Sequence, residues 1–157
     1  MAHGTAESQK LITQNKKARH EYEVLDTMEA GIVLEGSEVK SCRRGAVNLI
    51  DSYGRIEAGE MYIVDMHISP YSHANRFNHE PLRKRKLLMH KREIKKLYGK
   101  IREKGLSFVP LRMYFNQHGK VKVEMGLVHG KKLHDRRQDI KKRDMRRETE
   151  QALKQRR

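Results

Sequence analysis

About six short β-segments with two helical stretches set among them, and no strict strand–helix alternation, predict a mainly β fold with helices. For 157 residues carrying a net charge of +15, the form that suits both size and charge is a small OB-like closed β-barrel with flanking α-helices. A third observation concerns the C-terminus. From Gly130 to Arg157 there are 12 Lys/Arg against 5 Asp/Glu and few apolar residues, which predicts a flexible basic tail. The resulting organisation is a flexible N-terminus over 1–14, a barrel over 15–129 and a tail over 130–157. An open α+β sandwich is the structural alternative, and no internal repeat is visible.

The elements follow in order. Residues 1–14 are small and polar, with only Leu11 and Ile12 as large apolar residues after the start. The basic run Asn15-Lys-Lys-Ala-Arg-His-Glu-Tyr22 leads into a strand over His20–Met28, where Tyr22 and Val24 alternate with polar neighbours. Over Glu29–Arg44 the spacing of Ile32, Val33, Val39 and Cys42 suits a helix, closed by Gly45. Val47–Ile50 is a short strand. Tyr53–Glu57 and Glu60–Ile68 form a hairpin around Ala58-Gly59. A polar loop over His73–Pro81 precedes a helix over Arg83–Lys104, with Leu87, Leu88, Ile94, Leu97, Tyr98 and Ile101 at helical spacing and Gly105 as its stop. Leu106–Phe115 and Val121–His129 make a second hairpin around Asn116-Gln-His-Gly119. The tail has favourable four-residue pairs, Asp139 with Arg143 and Glu150 with Lys154, but little to pack against. It is expected to be mobile when free and helical when held in an anionic groove.

Composition narrows the function. No apolar run approaches the roughly 20 residues of a membrane helix, and Met1–Lys10 lacks the apolar stretch of a signal peptide. One cysteine, Cys42, excludes an internal disulfide and suits a reducing cytoplasm. The nine histidines (His3, His20, His67, His73, His79, His90, His118, His129 and His134) are scattered and show no zinc spacing, so no metal, cofactor or catalytic residue is expected. A nuclease could be built from His134-Asp135 or Asp65 and His67, but catalysis needs groups that converge on one phosphate, and no convergence is visible. Cys42, on an apolar helical face, reads as core.

Four basic clusters carry the stronger signal: Asn15, Lys16, Lys17, Arg19 and His20; Lys40, Arg43 and Arg44; Arg83, Lys84, Arg85 and Lys86; and the tail. Any one could be a solvated face. Four in one small chain, interleaved with Asn, His and Tyr, favour RNA, because these groups reach phosphates, unpaired bases and 2′-hydroxyls.

At these same clusters the chain resembles the small protein B family, the SsrA-binding proteins that partner transfer-messenger RNA in ribosome rescue. The matching stretches are Asn15-Lys-Lys-Ala-Arg-His-Glu-Tyr22, Glu29-Ala-Gly31, Gly36-Ser-Glu-Val-Lys-Ser41, Asp51-Ser-Tyr53, Arg83-Lys-Arg-Lys-Leu-Leu88 and Gly130-Lys-Lys-Leu-His-Asp-Arg-Arg137, in the family's order across nearly the whole chain. The resemblance implies an OB-like barrel whose face binds the tRNA-like domain of that RNA. Carried over by motif, this face comprises Asn15, Lys16, Arg19, His20, Glu29, Lys40, Arg83, Arg85 and Lys86. Leu88 is expected to pack rather than read RNA. The resemblance also implies that Gly130, Lys131, Lys132, His134, Asp135, Arg136 and Arg137 engage the small-subunit decoding region, while Ile140, Lys141, Arg143 and the residues beyond lie as a helix in an empty messenger channel. Cys42 stands where the family pattern has leucine. The expected protein is a monomeric, non-enzymatic, cytoplasmic adaptor with no membrane partner. The competing readings are a ribosomal or assembly protein of the same barrel type, and an RNA-cleaving enzyme.

Overall fold

The computed structural model describes residues 9–72, 78–130, 145–152 and 154. In chain order its elements are β1 (Lys10–Gln14), α1 (Lys16–Glu21), β2 (Tyr22–Ile32), α2 (Gly36–Arg43), β3 (Val47–Asn48), β4 (Tyr53–Glu57), β5 (Glu60–Val64), β6 (His67–Ile68), β7 (Arg85–Leu88), α3 (Lys91–Lys104), β8 (Ser107–Phe115) and β9 (Val121–Gly130). Seven strands make one antiparallel sheet in the order β1-β8-β9-β2-β7-β5-β4, and β3 pairs with β6 in a second, two-stranded sheet. The mainly β fold with helices is therefore present. The seven-stranded order is open: β4 lies at one end and β1 at the other, and among the described residues no hydrogen-bonded ladder closes the ring. No described helix is long and apolar enough to cross a membrane.

Both hairpins form as their turn residues dictate. Ala58 and Gly59 take φ of 49° and 75°, the doubly left-handed turn that matches strand twist. In the second hairpin Asn116 Oδ1 accepts from the backbone N–H of His118 and of Lys120 at 3.0 and 2.9 Å, and Gly119 supplies the positive φ of 73°. One face of the strands fills the core: Ala30, Met61, Ile63, Leu87, Met113, Val123 and Met125 are all buried. Cys42 belongs to that core, and burial pushes its thiol up to about 12, as expected of a packed rather than a reactive cysteine.

Four expectations need correction. Lys10–Gln14 is a strand, not part of a loose N-terminus: it pairs with β8, and Ile12 packs against the core. Glu29–Ile32 continues β2 instead of starting a helix; the β-branched Ile32 suits a strand, and α2 begins only at Gly36, after Glu35 donates its N–H to Glu38 Oε1 at 2.8 Å. Arg83–Leu88 is not helical either. Arg85–Leu88 is a strand between β2 and β5, and the helix starts at Lys91 with His90 as its cap, running unbroken past Gly99 to Gly105 at φ 62°. Finally, Glu60–Ile68 is two strands, parted by Asp65 at φ 62°. Residues 145–152 of the tail are helical with exposed side chains, and Thr149 Oγ1 donates to the Met145 carbonyl at 2.8 Å.

Candidate nucleic-acid interface

Strand alternation builds the site. Opposite the core, two cross-strand rows lie side by side on the outer face of β7, β2, β9 and β8. One row is Leu88–Gly31–Lys122–Tyr114; the other is Glu29–Glu124–Arg112. Gly31 has a geometric task here. A Cβ on it would stand 3.2 Å from Leu88 Cβ and 3.6 Å from Lys122 Nζ, so its absence lets the Leu88 side chain lie across β2 beside the lysine. Leu88 is 55% exposed despite that contact. The expectation that it packs is overturned, because Leu87, its neighbour, takes the inward position instead.

Glu29 is held by a phenol. Tyr114 donates its O–H to Glu29 Oε2, and the Arg112 guanidinium covers the Tyr114 ring at 4.6 Å while its Nε donates to Glu124. Burial, and then the bond to Glu29, push the Tyr114 hydroxyl above its ordinary range, which keeps it a donor. One Glu29 oxygen is committed to Tyr114, and among the described residues the other has no hydrogen-bond partner and can accept from an N–H donor. Glu29, Gly31, Leu88, Lys122, Lys86 and His90 line an open groove of about 510 Å³ that ends at the N-terminus of α3. Such a groove offers an apolar contact, a cation and an acceptor within one surface.

The basic cluster beside it is differently employed. Arg85 is fully buried. Its Nε donates to Glu38 Oε2, Nη1 to the Met66 carbonyl at 2.6 Å and Nη2 to the Pro81 carbonyl at 3.1 Å. Arg83 Nη2 donates to the other Glu38 oxygen at 2.5 Å. Burial alone would raise the Glu38 carboxyl, but the Glu35 N–H and the two guanidinium groups outweigh it and hold it below the usual carboxylate range. Lys84 pairs with Glu57 at 2.5 Å and Lys86 with Glu60 at 3.4 Å.

The remaining expected residues divide. Asn15 is interior, 3% exposed: Oδ1 caps α1 by accepting from Ala18 N–H at 3.1 Å, while Nδ2 donates to the carbonyls of Leu49 and Pro110 at 3.2 and 3.0 Å. With Arg85, it belongs to the framework rather than to an RNA-contacting surface. Lys16, Arg19 and His20 are exposed on α1, which seats Ala18 against Val109, Leu111 and Val128. Lys40 is exposed on α2, its Nζ 5.4 Å from the Tyr71 ring that Arg44 also faces. It shares no wall with the groove. Gly130 ends β9; Lys131, Lys132, His134, Asp135, Arg136, Arg137, Ile140, Lys141 and Arg143 lie outside the described residues. Sequence reading missed Lys122 and Tyr114, although the alternation Val121-Lys122-Val123-Glu124-Met125 already places Lys122 and Glu124 on the solvent side. Among the described residues, no group of three His, Cys, Asp or Glu could hold a metal ion. His79 is instead a buried link, with Nδ1 2.8 Å from Ser37 Oγ and Nε2 2.9 Å from the Ile68 carbonyl.

Comparison with known proteins gives the chain's family. Residues 12–155 match the family model described as SmpB protein. An SsrA-binding protein from Symbiobacterium thermophilum is 61% identical over 98% of this chain and 96% of its own, and one from Desulforamulus reducens is 57% identical over 94% and 91%. A chain of the solved structure "tmRNA-SmpB: a journey to the center of the bacterial ribosome" superposes with a TM-score of 0.65 at 50% identity, covering 77% of this chain and 85% of that one. The chain belongs to the SmpB family.

Proposed function

We propose that this protein is a non-enzymatic adaptor that binds the tRNA-like domain of transfer-messenger RNA and delivers it to stalled ribosomes in the cytoplasm for trans-translation. The observation that carries the reading is the outer-face groove, where Leu88, Lys122 and the Tyr114-held Glu29 meet across three strands. An exposed aliphatic side chain beside a cation and an acceptor suits an unpaired base and its phosphate. Lys16, Arg19 and His20 on α1 and Lys86 in the groove supply further basic contacts, with Arg83 and the exposed Lys40 as additional cations outside it. The curl that brings β4 back onto β8, where a Cβ on Gly54 would stand 2.7 Å from the Phe108 ring, supports an OB-like barrel as the body's finer description. The tail, from Gly130 through Lys131, Lys132, His134, Asp135, Arg136 and Arg137 to Ile140, Lys141 and Arg143, is assigned to the decoding region and the empty messenger channel. The ordering cost of so charged a segment is offset where an anionic channel receives it.

The test is binding of the full chain, at several salt concentrations, to tRNA-like RNA and to unrelated RNA of equal length. Preference for the former is expected; equal affinity would sink the adaptor reading. Truncation after His129 should leave binding by the body largely intact and abolish tagging on stalled ribosomes. Loss of RNA binding on truncation would contradict the division between body and tail.

A further inference from the structure

α3 carries seven Lys/Arg against two Glu in 14 residues. Its inward stripe is narrow, with Ile94 and Leu97 buried and Ile101 packed against the core. Lys91, Arg92, Lys95, Lys96 and Arg102 all face solvent. Among the described residues, no cation of this helix forms an ion pair, although seven other Lys and Arg side chains of the body do.

Glu93 in the first turn and Arg102 and Lys104 in the last suit the helix dipole, but other charges of α3 work against its stability. Lys91 and Arg92 occupy the first turn, where the helix dipole favours anions. Lys91 with Lys95, Arg92 with Lys96, and Lys96 with Lys100 are like-charge pairs four residues apart, which repel. A local sequence that breaks several stabilising rules at once, on an exposed face, marks a functional surface. The missing partner is a polyanion. A membrane surface fits poorly, because the apolar stripe of α3 is already turned into the core.

Continuity with the groove identifies which polyanion. Lys91 lines the groove that holds Leu88 and Lys122, and it also lines the neighbouring hollow formed with Lys95 and Tyr98. Lys91, Lys95, Tyr98 and Arg102 follow one another at three- and four-residue steps, a stripe of about 16 Å at about 1.5 Å per residue. Tyr98 is 48% exposed and accepts a hydrogen bond from Arg102 at 2.7 Å, which holds its ring along the stripe as a stacking surface.

We propose that α3 is a second half of the RNA interface: the sugar–phosphate backbone of the RNA seated in the groove continues along α3, contacting Lys91, Lys95 and Arg102. This rests on the RNA-binding reading above and adds the path of the strand beyond it.

The experiment compares the full-length protein with the triple variant Lys91→Gln, Lys95→Gln, Arg102→Gln, titrated with transfer-messenger RNA over a salt series. Glutamine keeps helix propensity and removes the repulsion, so circular dichroism should show an intact fold. Each lost phosphate contact lowers the slope of log affinity against log salt by about 0.7–0.9, so the slope should fall by about 2, with affinity at low salt down roughly ten- to hundred-fold. The charge-keeping variant Lys91→Arg, Lys95→Arg should hold the wild-type slope. An unchanged slope and affinity in the glutamine variant would overturn the proposal, as would a defect confined to ribosome association. A slope that falls equally on unrelated RNA, with no preference in the wild type, would support the phosphate surface while sinking the adaptor reading.

Discussion

Two neighbouring basic segments, Arg83–Lys86 and α3, have similar charge in sequence and opposite employment in the fold. In the first, every cation has a carboxylate: Arg83 and Arg85 share Glu38, Lys84 takes Glu57 and Lys86 takes Glu60. In the second, none among the described residues does. The difference follows from secondary structure. A central strand turns alternate residues inward, so Arg85 must be neutralised and hydrogen-bonded inside the protein. A surface helix with a narrow apolar stripe leaves its cations in water, where they remain available to a partner. Charge counted along the chain therefore overstates the first segment as an RNA surface and understates the second.

The comparison can be broken most forcefully at Glu38. Glu38→Ala leaves Arg85 buried without its carboxylate and should cost about 3–5 kcal/mol in denaturant unfolding. An effect no larger than that of a surface substitution would mean that the pair does not lock α2 to β7. The pH dependence has a fixed sign. Because the folded Glu38 carboxyl sits below its unfolded value, its stabilisation is complete above that unfolded value and is lost as pH falls through the folded one. Wild type and Glu38→Gln should thus converge in stability towards strongly acid pH. A smaller effect is expected at Asn15. Asn15→Ala removes a helix cap and two links to buried carbonyls, costing about 1–3 kcal/mol, and any loss of RNA affinity should track the loss of fold. An Asn15→Ala protein of wild-type stability that failed to bind RNA would return Asn15 to the contact surface.

Much of this was legible in the chain, and the failures have physical causes. The hairpins announced themselves through Ala58-Gly59 and Asn116–Gly119, whose backbone demands are local. β7 did not, because its period of two is Arg85 and Leu87 inward against Lys86 and Leu88 outward. An inward arginine looks like a surface residue until its partner is known, and Glu38 is 47 residues away in the chain. β1 has only two large apolar residues and depends on the β8 ladder, a non-local contact. At the site, Glu29 was named from the family pattern, but its phenol partner Tyr114 is 85 residues distant. The cations of α3 were passed over because the same residues read well as the polar side of an amphipathic helix.

The most direct test of the account is the reactivity of individual lysines towards an amine-acylating reagent, measured by mass spectrometry on the free protein and on its complex with transfer-messenger RNA. Lys91, Lys95 and Lys122 should react readily when free and become shielded in the complex, while Lys84, tied to Glu57 and stacked 4.5 Å from the Tyr62 ring, should change little. Shielding of Lys84 with α3 left reactive would contradict the assignment of the unpaired α3 cations to the RNA.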